Sequence, residues 1–209
     1  MSSATTKRLI PVLAAVGLTA LGVVGLSKIG CVNVHTPAGH VGYVRSKPLF
    51  GAGEFVGTQV GPTSTGWVWR EDVVNIDVRR RTYSEDMIVI TAKGSELRFR
   101  AHARIALSQD KVKDVVERYG GPDWYASNVQ RQFQNEVRQA VAPLDPFEAK
   151  NRSFEIAETV KASLNERYKE SPFEFESVDI GDIQYPPTIV TSVIRKFGTF
   201  QENERRDIE

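Results

Sequence analysis

Leu97-Arg-Phe-Arg-Ala-His-Ala-Arg-Ile-Ala-Leu107 decides the class of this chain. Leu97, Phe99, Ala101, Ala103, Ile105 and Leu107 share one parity, and Arg98, Arg100, His102 and Arg104 the other. Successive side chains of a β-strand point to opposite faces. Such regular alternation over eleven residues predicts a long strand with one face on a core and the other in polar surroundings. The charged row reads first as a solvated sheet face with acidic partners across the strands. Arg98, Arg100 and Arg104 are also candidates for contact with an acidic lipid surface or a neighbouring subunit.

The chain before this strand reads as β. Residues 40–45 (HVGYVR) form a short alternating strand. The glycine-rich residues 51–66 read as turns, and Trp67-Val-Trp69 resumes extended structure. Val74, Ile76 and Val78 alternate with Asn75, Asp77 and Arg79, the period of a half-buried strand. Residues 87–91 (MIVIT) are apolar and β-branched, which predicts a central strand. Ala92-Lys-Gly-Ser95 is then a turn.

The chain after it reads as helical. Val112, Val115, Val116 and Tyr119 make one stripe, broken by Gly120-Gly-Pro122. Asp123 is expected to cap a longer helix with Trp124, Val129, Phe133, Val137 and Val141 along one side, ended by Pro143. Asp145-Pro-Phe-Glu148 has the capping aspartate, first-position proline and third-position glutamate of a helix start. Ile156, Val160 and Leu164 carry a further helix from Ser153 to the Ser171-Pro172 stop. These stripes serve a core or a subunit contact, and periodicity does not separate the two. Residues 173–183 form a strand with a bulge at Gly181. Tyr185-Pro-Pro187 is a rigid joint that sets the angle between the globular body and a last helix starting near Thr188. In that helix Ile189, Val193, Phe197, Phe200, Glu204 and Ile208 step by four, four, three, four and four residues. Ile189, Val193, Phe197 and Phe200 are candidate subunit or lipid contacts. The helix is still running when the sequence stops, as in a fragment of a longer coiled-coil segment.

Residues 9–26, LIPVLAAVGLTALGVVGL, carry no charge. At about 1.5 Å per residue they span roughly 27 Å, close to the ~30 Å core of a bilayer. Leu9, Leu13, Val16, Leu21, Val24 and Leu26 are the candidate anchor residues of a single transmembrane helix. The run is longer than the apolar part of a secretory signal, and no A-x-A-like site follows it. Cleavage as a signal, or acylation at Cys31, are the minor alternatives; Lys28 stands where a lipoprotein signal wants an aliphatic residue. Lys7 and Arg8 before the run and Lys28, Arg45 and Lys47 after it orient it only weakly, with the body outside.

A formal charge of +1 gives no basic field for nucleic acid. One cysteine makes no internal disulfide, and three scattered histidines suggest no metal site. Gly51-Ala-Gly53 lacks the Lys-Ser/Thr of a phosphate loop, and no G-x-S-x-G elbow occurs. No catalytic residue and no cofactor site is therefore predicted.

The order of anchor, antiparallel strands, amphipathic helices, strand and proline-marked helix resembles the SPFH (band 7) family of stomatins, prohibitins and flotillins. The resemblance runs over about residues 35–204. It rests on Thr36-Pro-Ala-Gly-His-Val-Gly-Tyr-Val-Arg45 for the opening strand and Gly61-Pro-Thr-Ser-Thr-Gly-Trp67 for a turn with an atypical insertion. Val74-Asn-Ile-Asp77 through Thr91, and the 97–107 strand, are similar to the family's paired strands, with Ala92-Lys93 where an acidic residue is usual. Gly120-Gly-Pro-Asp-Trp-Tyr125, Glu136-Val-Arg138 and Val178-Asp-Ile-Gly-Asp-Ile-Gln-Tyr-Pro186 carry the later signature, the last being the most specific. The bacterial, prohibitin-like branch is the most similar.

On this reading the fold is α+β. A polar tail (1–8) and a transmembrane helix (9–30) precede a band 7 domain (32–187), which is β-rich over 32–107, helical over 108–171 and closed by a strand at 173–184. The start of a long helix (188–209) follows. The resemblance implies a membrane scaffold, not an enzyme, anchored by its N-terminus in a bacterial inner membrane. It implies assembly into a large ring or cage with copies of itself or a related band 7 subunit, organising membrane lipids and a client such as a membrane protease. Two other readings are a membrane-tethered monomeric or dimeric binding module, with Trp67, Trp69, Trp124 and Tyr125 lining its pocket, and a hydrolase with a dispersed active site.

Overall fold

The 97–107 alternation appears intact in the computed structural model, which describes residues 31–185 with Val190, Thr191 and Arg195. The anchor at 9–30, the two prolines at 186–187, and Ile189, Val193, Phe197 and Phe200 lie outside the described residues. Among the described residues no helix is long and apolar enough to cross a membrane. These residues fall into two units, 31–78 with 112–122, and 79–111 with 123 onward.

The first unit is mostly β. Strands β1 (Cys31–Thr36), β2 (His40–Ser46), β3 (Phe55–Val60), β4 (Thr63–Trp69) and β5 (Glu71–Asp77) make two antiparallel sheets, β1-β4 and β3-β2-β5. Two of the new strands, β3 and most of β4, lie within the 51–66 stretch that the glycine content marks as turns. There the glycines occupy particular positions rather than replacing the strands: Gly57 sits inside β3, Gly61 closes the turn, and Gly66 takes φ +76° within β4. β2 does not alternate, because Val41, Gly42, Tyr43 and Val44 are all buried. It is the middle strand of its sheet, and α1 (Val112–Arg118) places Glu117 where it accepts a 2.8 Å hydrogen bond from Tyr43 Oη. On the other face β1 passes over Gly42. A Cβ there would stand 2.4 Å from Thr36 Oγ1 and 2.6 Å from Val73 Cγ2, so only glycine permits the crossing.

The second unit is a three-stranded antiparallel sheet in the order β6-β7-β8, from Arg81–Ile90, Glu96–Leu107 and Phe173–Gln184. The central strand is β7, the alternating one. The 87–91 run lies on the edge strand β6, and only one of its parities is covered: Met87 and Val89 are buried, Ile88 and Ile90 exposed. β-branched composition reports a fit to pleated surface and not a place in the sheet. The 92–95 segment is the expected turn, with Gly94 at φ +71°.

Helices α2 (Gln130–Val141), α3 (Pro146–Asn151) and α4 (Ser153–Arg167) accompany this sheet, α4 along β8 and α2 against α4 and β6. Trp124, Val129, Phe133, Val137 and Val141 are buried, as are Ile156, Val160 and Leu164. The stripes in this unit are therefore core, where they meet Phe99, Ile105, Phe173 and Phe175 of the sheet's inner face. In the first unit Val112 and Val115 are buried and Val116 partly so. The step from Trp124 to Val129 is five residues, and the chain makes a π-helical turn at Tyr125–Val129 before α2 begins. One extra residue per turn is what that spacing demands. Asp123 does not cap this helix: it lies in a 3₁₀ turn at Gly121–Asp123, and Trp124 occupies the cap position without a side-chain hydrogen bond. Asp145 does cap α3. Its Oδ1 accepts from Phe147 N at 2.7 Å, and Glu148 Oε2 accepts from Asp145 N at 3.1 Å.

One carboxylate is buried in this packing. Glu136 of α2 accepts from Gln132 (3.0 Å), Ser163 (2.8 Å) and Arg167 (2.8 Å). Burial pushes its carboxyl up, but the hydrogen bonds from Ser163 and Gln132 and the Arg167 charge together hold it below the ordinary value of 4.5. A group whose folded pKa is depressed stabilises the fold above its unfolded value and loses that contribution as pH falls through the folded one. Glu136→Gln should therefore cost about 1–3 kcal/mol near neutrality. It should also flatten the loss of stability below about pH 4.5, as read from denaturant unfolding at stepped pH. Gly42→Ala, forced against Thr36 and Val73, should cost about 1–3 kcal/mol, measured as a lowered thermal midpoint.

Candidate functional site

The outer face of the β6-β7-β8 sheet carries the arginine row, and the register fixes what stands beside it. Arg98 pairs with Ile88 and Gln184, Arg100 with Asp86 and Gly181, His102 with Ser84 and Asp179, and Arg104 with Thr82 and Ser177. β8 is bulged twice along this edge, once where Arg104 and Ile105 face it and once where Arg98 and Arg100 do. The second bulge is the one expected at Gly181, but the left-handed residue is Asp182, at φ +52°.

Each arginine of the row has a carboxylate. Arg100 Nε donates to Asp86 Oδ1 at 2.7 Å, and its Nη1 lies 3.7 Å from Asp182. Arg104 reaches Glu176 at 3.2 Å, a carboxylate shared with Arg80. Arg98 donates to Glu96 at 2.6 Å. The row is thus an ion-paired, charge-compensated face; Arg100 and Arg104 have the cross-strand acidic partners expected from the sequence, while Arg98 pairs within its own strand. Between Arg98, Arg100 and the β8 bulge lies an open groove of about 620 Å³, flanked by Asp86, Ile88, Asp182 and Gln184. Asp86, Glu176, Asp182, Ile88 and Ile90 were not singled out by the sequence. Their parity against Arg98 and Arg100 is visible only once the strands are in register.

Ser84 Oγ and His102 Nδ1 are 2.8 Å apart, and Asp179 is the next residue across the sheet. The three form a row across the outer face of the sheet. Among the described residues no three His, Cys, Asp or Glu side chains group as metal ligands.

Two further side-chain clusters lie in the same unit. Glu85, on the inner parity of β6, accepts from Tyr125 Oη (2.9 Å), Gln130 Nε2 (3.1 Å) and Gln134 Nε2 (2.7 Å). Tyr125 stacks on Tyr83 at 3.8 Å, and burial followed by the Glu85 hydrogen bond pushes its phenol well up. This clamp ties the π-helical turn to the edge strand. At the other end Lys93, in the place where the resembling family has an acidic residue, donates to Asp145. That bond, with the Phe147 N–H, holds the Asp145 carboxyl below its usual range. Tyr185 stacks on Phe147 of α3 at 5.3 Å, with Lys150 Nζ 5.8 Å from its ring centre, so the residue before the two prolines is docked on the capped helix.

The aromatics offered for a ligand pocket are placed differently from one another. Trp124 is a core residue stacked on Phe173 at 4.7 Å and Tyr125 belongs to the Glu85 clamp, whereas Trp67 and Trp69 are exposed on β4 of the first unit. Trp67 and Trp69 thus belong to one unit and Trp124 and Tyr125 to the other.

A family model for the SPFH domain / Band 7 family matches residues 34–209. No curated protein matches the chain.

The ion pairs of the outer face are about half exposed, and such pairs contribute little. Arg100→Ala should lower stability by less than about 1 kcal/mol, against about 3–5 kcal/mol for Phe133→Ala in the core, both read by urea unfolding.

Proposed function

The chain belongs to the SPFH domain / Band 7 family, whose members are generally membrane-associated scaffolds, and we propose that it is a membrane-anchored scaffold that assembles side by side into a large ring or cage. The observation that carries the reading is the adjacency of two features: the family match begins at residue 34, eight residues after an eighteen-residue uncharged run ends. A single span organises little membrane by itself, while many spans held by one closed assembly add their effects.

In this reading residues 9–26 anchor the chain, through Leu9, Leu13, Val16, Leu21, Val24 and Leu26, in a bacterial inner membrane. The helix after Tyr185 supplies lateral contacts through Ile189, Val193, Phe197 and Phe200, to copies of the chain or to a related band 7 subunit. The docking of Tyr185 on Phe147 supports a defined exit direction for that helix. Lipids, and a client such as a membrane protease, are what such an enclosure gathers. The prohibitin-like branch is the one whose sequence pattern fits best.

Detergent-solubilised full-length protein should run as an assembly of very high mass by light scattering and appear as closed particles in electron microscopy; a monomer would sink the proposal. Replacing Ile189, Val193, Phe197 and Phe200 with serine should collapse the assembly while far-UV circular dichroism keeps the signature of the folded units.

A further inference from the structure

Three buried side-chain oxygens of the first unit converge on one glycine. Thr36 Oγ1, Gln59 Oε1 and Asn75 Oδ1 are enclosed, and none has a hydrogen-bond partner among the described residues. The pairing explains why they meet. Gly42 of β2 stands opposite Gln59 on β3 and Asn75 on β5. Residues directly opposite each other in antiparallel strands point to the same side of the sheet. Gly42, which has no side chain of its own, is therefore flanked by two amides on the side that β1 crosses. Thr36 Oγ1 and Asn75 Oδ1 stand 2.4 and 3.1 Å from the point where a Cβ on Gly42 would lie.

The amides are oriented by their nitrogen ends. Asn75 Nδ2 donates to His35 O at 3.1 Å, and Gln59 Nε2 donates to Thr63 O at 2.8 Å. His35 precedes Thr36, and Thr63 is the cross-strand partner of Thr36 on β4. Both amide nitrogens are thus hooked to the β1-β4 sheet beside Thr36. Turning either amide over would set its oxygen against a carbonyl, so the two ends do not trade places.

The proton count then demands a ligand. An amide oxygen accepts and does not donate, and the Thr36 hydroxyl has a single proton. It serves one amide oxygen at most, and a buried acceptor without a donor carries its full desolvation cost. A water molecule brings two donors and accepts from the hydroxyl, which balances all three groups; internal waters typically make about three such bonds. A cation accepts no hydrogen bond. It would leave the Thr36 proton without a partner and place a charge among three neutral oxygens. We infer that Thr36, Gln59 and Asn75 form a binding site for one internal water molecule, seated against Gly42, which accepts from Thr36 Oγ1 and donates to Gln59 Oε1 and Asn75 Oδ1. That molecule links β1, β3 and β5, and so pins the β1-β4 sheet to the β3-β2-β5 sheet at the one place where β2 offers no side chain.

Electron cryomicroscopy of the full-length protein in detergent, at a resolution that shows ordered water, tests it together with thermal unfolding of variants. One peak should lie about 2.6–3.2 Å from each of the three oxygens. Thr36→Val keeps the shape of the side chain and removes the hydroxyl. It should lose the peak and lower the thermal midpoint by about 2–4 °C, while Thr36→Ser keeps the peak. The sign is decisive, because deleting a hydroxyl that had no partner is neutral or stabilising. Exchanging sodium and potassium chloride for choline chloride should leave the midpoint unchanged. Three results overturn the inference. No peak, with Thr36→Val at or above the wild-type midpoint, means that the oxygens hold no ligand. No peak, with Thr36→Val below it, means that Thr36 bonds an amide oxygen directly. A wild-type midpoint that falls in choline chloride and recovers with sodium, with no such response in Thr36→Val, means that the site takes a cation. Should Thr36→Val not fold, the wild-type and Thr36→Ser maps decide by themselves, a peak supporting the water and its absence overturning it.

Discussion

Cross-strand pairing along β7 is the constraint on which the second unit depends. Ten consecutive pairs join it to β6 and nine more to β8. Because side chains alternate, this one register assigns every neighbouring residue to a face. It sends Leu97, Phe99, Ala101, Ala103, Ile105 and Leu107 inward against the helices. It also sets Asp86 beside Arg100 and Ser84 beside His102 on the outside. A slip of one residue would bury the arginines and expose the core, so hydrophobic burial on one side enforces the ion pairs on the other. The pairs themselves contribute little energy; they follow from the register and do not create it.

The first unit is governed by close approach rather than by area. β2 is covered on both faces, and one cover, β1, comes so near that position 42 has no room for a side chain. The same unit presents tryptophans and a leucine–phenylalanine loop tip to the outside. A unit that closes its interior with glycines while leaving its largest apolar groups exposed has a surface shaped for a partner.

How much of this was legible depended on how local the signal is. The β7 alternation, the Asp145 capping box, the Ile156–Val160–Leu164 stripe and the break at Gly120-Gly-Pro122 are local, and all are found where the spacing puts them. The π-helical turn was also written in the five-residue gap between Trp124 and Val129, although α-helical periodicity alone reads over it. Asp123 failed as a cap because the two glycines with positive φ before it lead into a 3₁₀ turn, which shifts the helix start past it. Residues 51–66 failed as turns because glycine content does not distinguish a strand with tight corners from a loop. The candidate face was half legible: parity gave the arginines, while their carboxylates come from strands up to 82 residues away, as Asp182 does from Arg100.

By itself the sequence determined the strand and helix inventory of the second unit and the uncharged run before residue 27, because each rests on spacing within a short window, and it pointed to the family through the order of several separated segments. Tertiary structure alone decided that the 87–91 run is an edge strand, that the arginine row is neutralised, and that Thr36, Gln59 and Asn75 meet around Gly42. Those facts depend on which distant segments pair, and pairing is fixed by the combined burial of many residues, which no single window of sequence contains.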